Sequence, residues 1–249
     1  MTYSFGDPRA DFYAEPVGDE GHFNLHYPGG VIEDCVVGIP GWVNIENATG
    51  ASAIGLAYGL DPQKKHIFIV GGSLGSGTLN NAMKKWISDG CPGGEGIEII
   101  WQCGKFYKPS VDAFMKEAEA AVLGGAVLKQ IQHSDFIKRM DLAYAAADVV
   151  ISRSGASSVS ELCAAHKATI FVPSPNVAED HQTHNAMALV NKDAAVLVKD
   201  AEAVEKLLPA ACALTENPER IAQLEKNIAV LAKTDAAMTI AEEVYRVIK

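Results

Sequence analysis

The sequence predicts an α/β fold, a Rossmann-like parallel sheet with helices on both faces, preceded by a small N-terminal β-hairpin and helix. Three observations predict it. From His66 onward short apolar runs alternate with helical patterns, the junctions between them are rich in Gly and Ser, and a different, turn-rich texture occupies the residues before about 62. Strand and helix in alternation imply parallel pairing through right-handed crossovers, which lays helices on both sides of the sheet.

The chain divides accordingly into residues 1–61 and 62–249. In the first part Phe23, Leu25 and Tyr27 alternate with polar residues, Pro28-Gly29-Gly30 supplies a turn, and Val31 to Val37 returns as a second strand. Asn44 to Tyr58 reads as a helix capped by Asn44 and stopped by Gly59 and Pro62. In the second part the strands are expected at Ile67 to Val70, Ile97 to Trp101, Val127 to Ile131, Val149 to Ile151, Thr169 to Val172 and Ala195 to Val198. Helices are expected at Thr78 to Ser88, Val111 to Val122, Phe136 to Ala146, Ser158 to Ala165 and His181 to Asn191. Three more close the chain at Ala201 to Leu214, Pro218 to Ala232 and Ala236 to Ile248, the second opened by Asn217-Pro218.

Composition narrows the function. The 249 residues carry a formal net charge of −10 and are 48% hydrophobic, ordinary for a globular chain. Nucleic-acid binding needs clustered Lys and Arg to neutralise phosphates, and this chain lacks them. No apolar run reaches the ~18 residues of a membrane span, and the first residues have no signal-peptide pattern, so a cytoplasmic location is expected. Cys35, Cys91, Cys103, Cys163 and Cys212 have no metal-ligand spacing and read as reduced thiols.

In an open parallel sheet, ligands sit beyond the carboxyl ends of the strands, so three strand-to-helix loops draw attention. The first, Gly71-Gly72-Ser73-Leu74-Gly75-Ser76-Gly77, would let backbone amides approach a phosphate. Gly71, Gly75 and Gly77 also have the spacing of short-chain NAD(P) dehydrogenases. The next strand, however, ends Ile100-Trp101-Gln102 and lacks the acidic residue that would hold an adenosine ribose. The second loop, Ser152 to Glu161, places small residues where a helix begins. Ala156, Ser157 and Ser158 can offer bare amides to a diphosphate, with Glu161 one turn in to hold ribose hydroxyls. A second reading, compatible with the first, is a capping box in which Ser158 caps and Glu161 answers. The third loop, Ala178 to Asn185, gathers acid, amide and imidazole groups suited to sugar hydroxyls. His181 and His184 alone are too few to imply a metal, and no cofactor is expected.

Taken in order, GGSLG, IIWQCGK, FIKRM, AYAAADVVISRSGASSVSEL and FVPSPNVAEDHQTHNA resemble the donor-binding half of the peptidoglycan N-acetylglucosaminyltransferases, two-domain GT-B enzymes that convert lipid I to lipid II. The resemblance runs from about Gly59 to the end. It implies UDP-N-acetylglucosamine as ligand, with Gly72, Ser73 and Gly75 at a phosphate, Ile137 holding the uracil edge through its backbone, and Met140 lining the base pocket. It further implies Gly155, Ala156, Ser157 and Ser158 at the diphosphate and amino sugar, Glu161 at the ribose, and His181 and Gln182 facing the sugar. Lys138 and Arg139 depart from the family's usual acidic pattern.

No segment before Gly59 resembles the acceptor half of that family, which holds its catalytic base and its membrane-facing patch. No catalytic residue is therefore expected here, and turnover would need an acceptor domain in trans. Residues 3–12 and the stretch Ile39 to Ala48 are instead similar to the central domain of the UDP-N-acetylmuramate:L-alanine ligases, in which Asn44 and Asn47 would lie by the adenine of ATP. With no phosphate loop, such adenine contacts would be vestigial. The two resemblances meet near Tyr58 to Pro62, which implies a chimeric chain.

Overall fold

A computed structural model describes residues 2–18, 21–36, 45, 48–50, 52, 55, 59–61 and 63–248. They fall into two compact units, residues 1–63 and 64–249. Most of the helix expected over Asn44 to Tyr58, and both Asn44 and Asn47, lie outside the described residues.

The first unit holds a four-stranded sheet in sequential order, β1 (Tyr3–Phe5), β2 (Phe12–Pro16), β3 (His22–Tyr27) and β4 (Gly30–Val36). The expected hairpin is β3–β4, turned at Gly29, whose φ of +127° a side chain would resist. Two further strands precede it. Ala14, Phe23 and Leu25 are buried with Ile45 in a small core, the inward set that period-two alternation dictates.

The second unit is a six-stranded, wholly parallel sheet: β5 (Lys65–Val70), β6 (Ile97–Gln102), β7 (Ile131–Ser134), β8 (Val149–Ser152), β9 (Ala168–Phe171) and β10 (Val196–Leu197). Helices α1 (Gly77–Ser88), α2 (Lys108–Ala120), α3 (Met140–Ala146), α4 (Ala156–Ala164), α5 (His181–Val190), α6 (Asp200–Thr215), α7 (Pro218–Ala229) and α8 (Ala236–Val247) follow in alternation and then close the chain. The central strands are continuous apolar runs because both their faces are covered. Ile67, Ile69, Ile99, Trp101 and Ile151 pack with Leu79 and Met83 of α1 and Leu207 of α6. Phe68, Val70, Val150 and Phe171 face the other way, onto Tyr144 of α3, Leu162 of α4 and Leu189 of α5.

Two expectations need correction. Val127 to Ile131 is not a strand: residues Gly125–Gln130 form a 3-10 turn, and the strand is displaced to Ile131–Ser134. A short apolar run reads alike as strand or buried helix, and here the positive φ of Gly124 and Gly125 wraps Val127 and Leu128 into the core before the strand can start. The helix expected from Phe136 begins only at Met140, leaving 135–139 as a loop.

Strand order β10-β9-β8-β5-β6-β7 sets the position of the site. The chain runs outward from β5 through β6 to β7, then returns to β8 on the other side of β5 and continues to β9 and β10. The loops after β5 and β8 therefore diverge from neighbouring strand ends, Val70 being in register with Ser152. Such a switch point opens a crevice at the carboxyl edge of the sheet.

Candidate functional site

Two of the three loops singled out by their composition flank this crevice. After β5 the chain turns through Gly71 to Ser76, and Ser76 caps α1 by accepting from the Leu79 amide at 3.4 Å. Gly75 is required by space as well as by its φ of +87°, since a Cβ there would lie 2.1 Å from the Cys103 carbonyl oxygen. The glycine turn is thus pressed against the loop after β6, leaving Gly72 and Ser73 exposed at its tip.

Across the crevice, α4 starts at Ala156, two residues earlier than its serines suggested. Gly155 stands at the cap position with extended backbone, and no side chain caps the helix. The capping-box alternative is therefore not what forms: Ser158 lies inside the first turn, and Glu161 does not fold back on it. Ala156 and Ser157 are exposed, so the helix start combines unspent amides, the positive end of the helix dipole and little steric cover. A Cβ added at Gly155 would meet nothing within 4 Å. These are the attributes of an anion site.

Glu161 is exposed on α4, and its Oε2 accepts from the Tyr144 hydroxyl at 3.1 Å. Burial, reinforced by the Glu161 charge, pushes the Tyr144 phenol above its ordinary range, so it remains a donor. Ile137 and Met140 are half-buried against the same apolar cluster as Tyr144, in the loop after β7 and at the start of α3. The Ile137 amide is already committed, donating to Gln102 Oε1 at 2.8 Å, which leaves its carbonyl as the backbone group for a ligand. Gln102 also donates from Nε2 to the Gly72 carbonyl at 3.1 Å, so one buried amide side chain joins the glycine turn to the Ile137 loop.

The third loop is tied to the second. Ser154 Oγ donates to the Gln182 carbonyl at 2.8 Å, and Asn185 Nδ2 donates to the Ser154 carbonyl at 3.0 Å. Gln182 Oε1 in turn accepts from the Ser174 amide at 2.9 Å. Glu179 and Asp180 take left-handed φ of +52° and +50° immediately before α5, and His181 is exposed at its start. Among the described residues no group of three or more His, Cys, Asp and Glu could hold a metal ion.

Gln102, Tyr144 and the buried Ser154 were not assigned roles from sequence. A polar residue closing an apolar strand was the visible signal for Gln102; Tyr144 carried none.

The chain is similar to known proteins in sequence and fold. A family model described as Glycosyltransferase family 28 C-terminal domain matches residues 66–240. Over 190 residues the chain is 50% identical to a UDP-N-acetylglucosamine–N-acetylmuramyl-(pentapeptide) pyrophosphoryl-undecaprenol N-acetylglucosamine transferase of Phocaeicola vulgatus, covering 76% of this chain and 48% of the relative. The protein of the same description from Parabacteroides distasonis is 42% identical over 219 residues, 86% of this chain and 55% of the relative. Among solved structures, Acinetobacter baumannii MurG is similar with a TM-score of 0.60 and 26% identity, covering 78% of this chain and 53% of that one. The chain spans about half the length of the curated relatives it matches.

Proposed function

The chain belongs to the glycosyltransferase family 28 C-terminal domain family, and from that premise we propose that residues 64–249 bind UDP-N-acetylglucosamine as the donor half of a peptidoglycan N-acetylglucosaminyltransferase. The observation that carries the reading is the uncapped start of α4, set beside the glycine turn at the sheet's switch point. In this reading the amides of Ala156, Ser157 and Ser158 hold the diphosphate, Gly72, Ser73 and Gly75 bring the opposing turn to a phosphate, and Glu161 takes the ribose hydroxyls. The Ile137 carbonyl and Met140 receive the base, and His181 and Gln182 face the sugar. The relatives' names specify this donor and an undecaprenol-linked muramyl pentapeptide acceptor.

The same reading assigns acceptor binding and the catalytic base to the part of the relatives' length that this chain does not match. The expected setting is the cytoplasmic face of the membrane; no helix among the described residues is long and apolar enough to cross it. A thermal-shift titration tests donor binding. At about 100 times the dissociation constant, UDP-N-acetylglucosamine should add about 2.7 kcal/mol of stability, whereas no shift at millimolar ligand contradicts the reading.

For residues 1–61 the proposal remains a fragment of ligase ancestry, joined near Pro62 and offering at most a vestigial adenine contact through Asn44 and Asn47. It rests on motif resemblance alone. The Parabacteroides match takes in 86% of the chain, more than residues 62–249 make up, and so favours glycosyltransferase ancestry for part of this segment. Titration with ATP decides: ligase ancestry with a surviving contact requires saturable binding that Asn44→Ala weakens.

A further inference from the structure

We propose that Asp200 is a positioning residue that fixes the spacing between the two phosphate-facing loops; the inference rests on the donor-site reading above. Asp200 opens α6, and its two carboxylate oxygens serve opposite sides of the switch point. Oδ1 accepts from Arg153 Nη1 at 2.5 Å, and Oδ2 accepts from Thr78 Oγ1 at 3.1 Å. Thr78 lies in the first turn of α1, directly after the glycine turn, while Arg153 begins the loop that leads to α4. One carboxylate therefore joins chain segments 122 and 47 residues away from it.

Arg153 is the cation of the Ser152 to Glu161 loop, and by charge alone it would be assigned to phosphate. The geometry turns it inward: besides Asp200 it donates to the Val172 carbonyl at 2.9 Å. The side chains of Arg153 and Asp200 are only 14% and 21% exposed, so the pair interacts where water screens it little. Its charge is spent on holding the loop, and anion binding is left to the backbone amides of α4. A diphosphate must meet both loops at once, whereas a nucleoside lacking phosphates meets only the base and ribose groups. Loosening the clamp should therefore weaken UDP and spare uridine.

The test is a pair of NMR titrations, UDP and uridine, on the full chain and on Thr78→Val and Asp200→Asn. Thr78→Val is near-isosteric and keeps the ion pair, so it remains informative if Asp200→Asn, which leaves Arg153 without its counter-charge, fails to fold. The expected result for Thr78→Val is a loss of about three- to tenfold in UDP affinity, the scale of one hydrogen bond, with uridine unchanged. If the original chain binds UDP and the variant keeps the same ratio of UDP to uridine affinity, the clamp is overturned while the donor site stands. Equal losses for both ligands overturn it too, since they mark a general loosening. If the original chain binds no UDP, the donor reading falls and the clamp falls with it.

Discussion

The Tyr144 hydroxyl donates to Glu161 Oε2 at 3.1 Å, from a buried ring packed edge-on against Phe68 at 5.7 Å. The phenol is rigidly placed, so it orients the Glu161 carboxylate and leaves Oε1 for a ligand. If Glu161 holds the ribose, Tyr144→Phe should weaken UDP and uridine alike by about two- to fivefold, and Glu161→Ala by about tenfold or more, the range of one hydrogen bond to a charged group. Calorimetric or NMR titration checks both variants.

Glycine substitutions separate folding from binding. Gly75→Ala puts a methyl group 2.1 Å from the Cys103 carbonyl oxygen at a φ of +87°, so it should destabilise the unit and distort the turn. Gly155→Ala meets no atom within 4 Å and has a φ of −62°. It should leave the urea midpoint nearly unchanged while crowding a diphosphate at the α4 start, seen as weaker UDP binding in a normally folded protein.

Asn80 is a buried polar link in the core. Its Oδ1 accepts from Trp101 Nε1 at 2.9 Å and its Nδ2 donates to the Cys103 carbonyl at 2.9 Å. Asn80→Ala strands a buried donor and a buried acceptor, each costing about 1–3 kcal/mol. Urea unfolding should show a loss of about 2–5 kcal/mol, among the larger effects of a single substitution.

Asp193 should contribute to the acid sensitivity of the second unit. Hydrogen bonds from Arg220, at 2.6 and 2.8 Å, hold its carboxyl below the usual range. A carboxyl depressed in the folded state contributes stability above its unfolded pKa and loses it as pH falls through the folded value. Asp193→Asn keeps the side-chain shape and suits the left-handed φ of +54°. Its melting temperature should therefore lie below the parent's at pH 7, and the difference should close as pH drops below about 4, the ordinary aspartate range. A constant difference across that window contradicts the assignment.

The sheet was legible because central parallel strands are apolar on both faces: Ile67 to Val70 and Val149 to Ile151 need no alternation to be recognised. Strands β1 and β2 were not foreseen, since Tyr3–Phe5 is three residues long and Phe12–Pro16 ends in proline. The two loops at the switch point were visible in their small residues, but the start of α4 was not, because serine preferences point to Ser158 while the helix begins at Ala156. Gln102, Tyr144 and Asp200 connect segments that only the fold brings together. Their partners lie 17 to 122 residues away, beyond the reach of any local pattern.

Isothermal titration of the chain with UDP-N-acetylglucosamine, repeated on Glu161→Ala and Gly155→Ala, bears most directly on the donor site at the start of α4. Saturable one-to-one binding, weakened in both variants while their melting temperatures hold, is the expected result. Absence of binding by the parent chain, or affinity indifferent to both substitutions, would place the nucleotide sugar elsewhere and contradict the account.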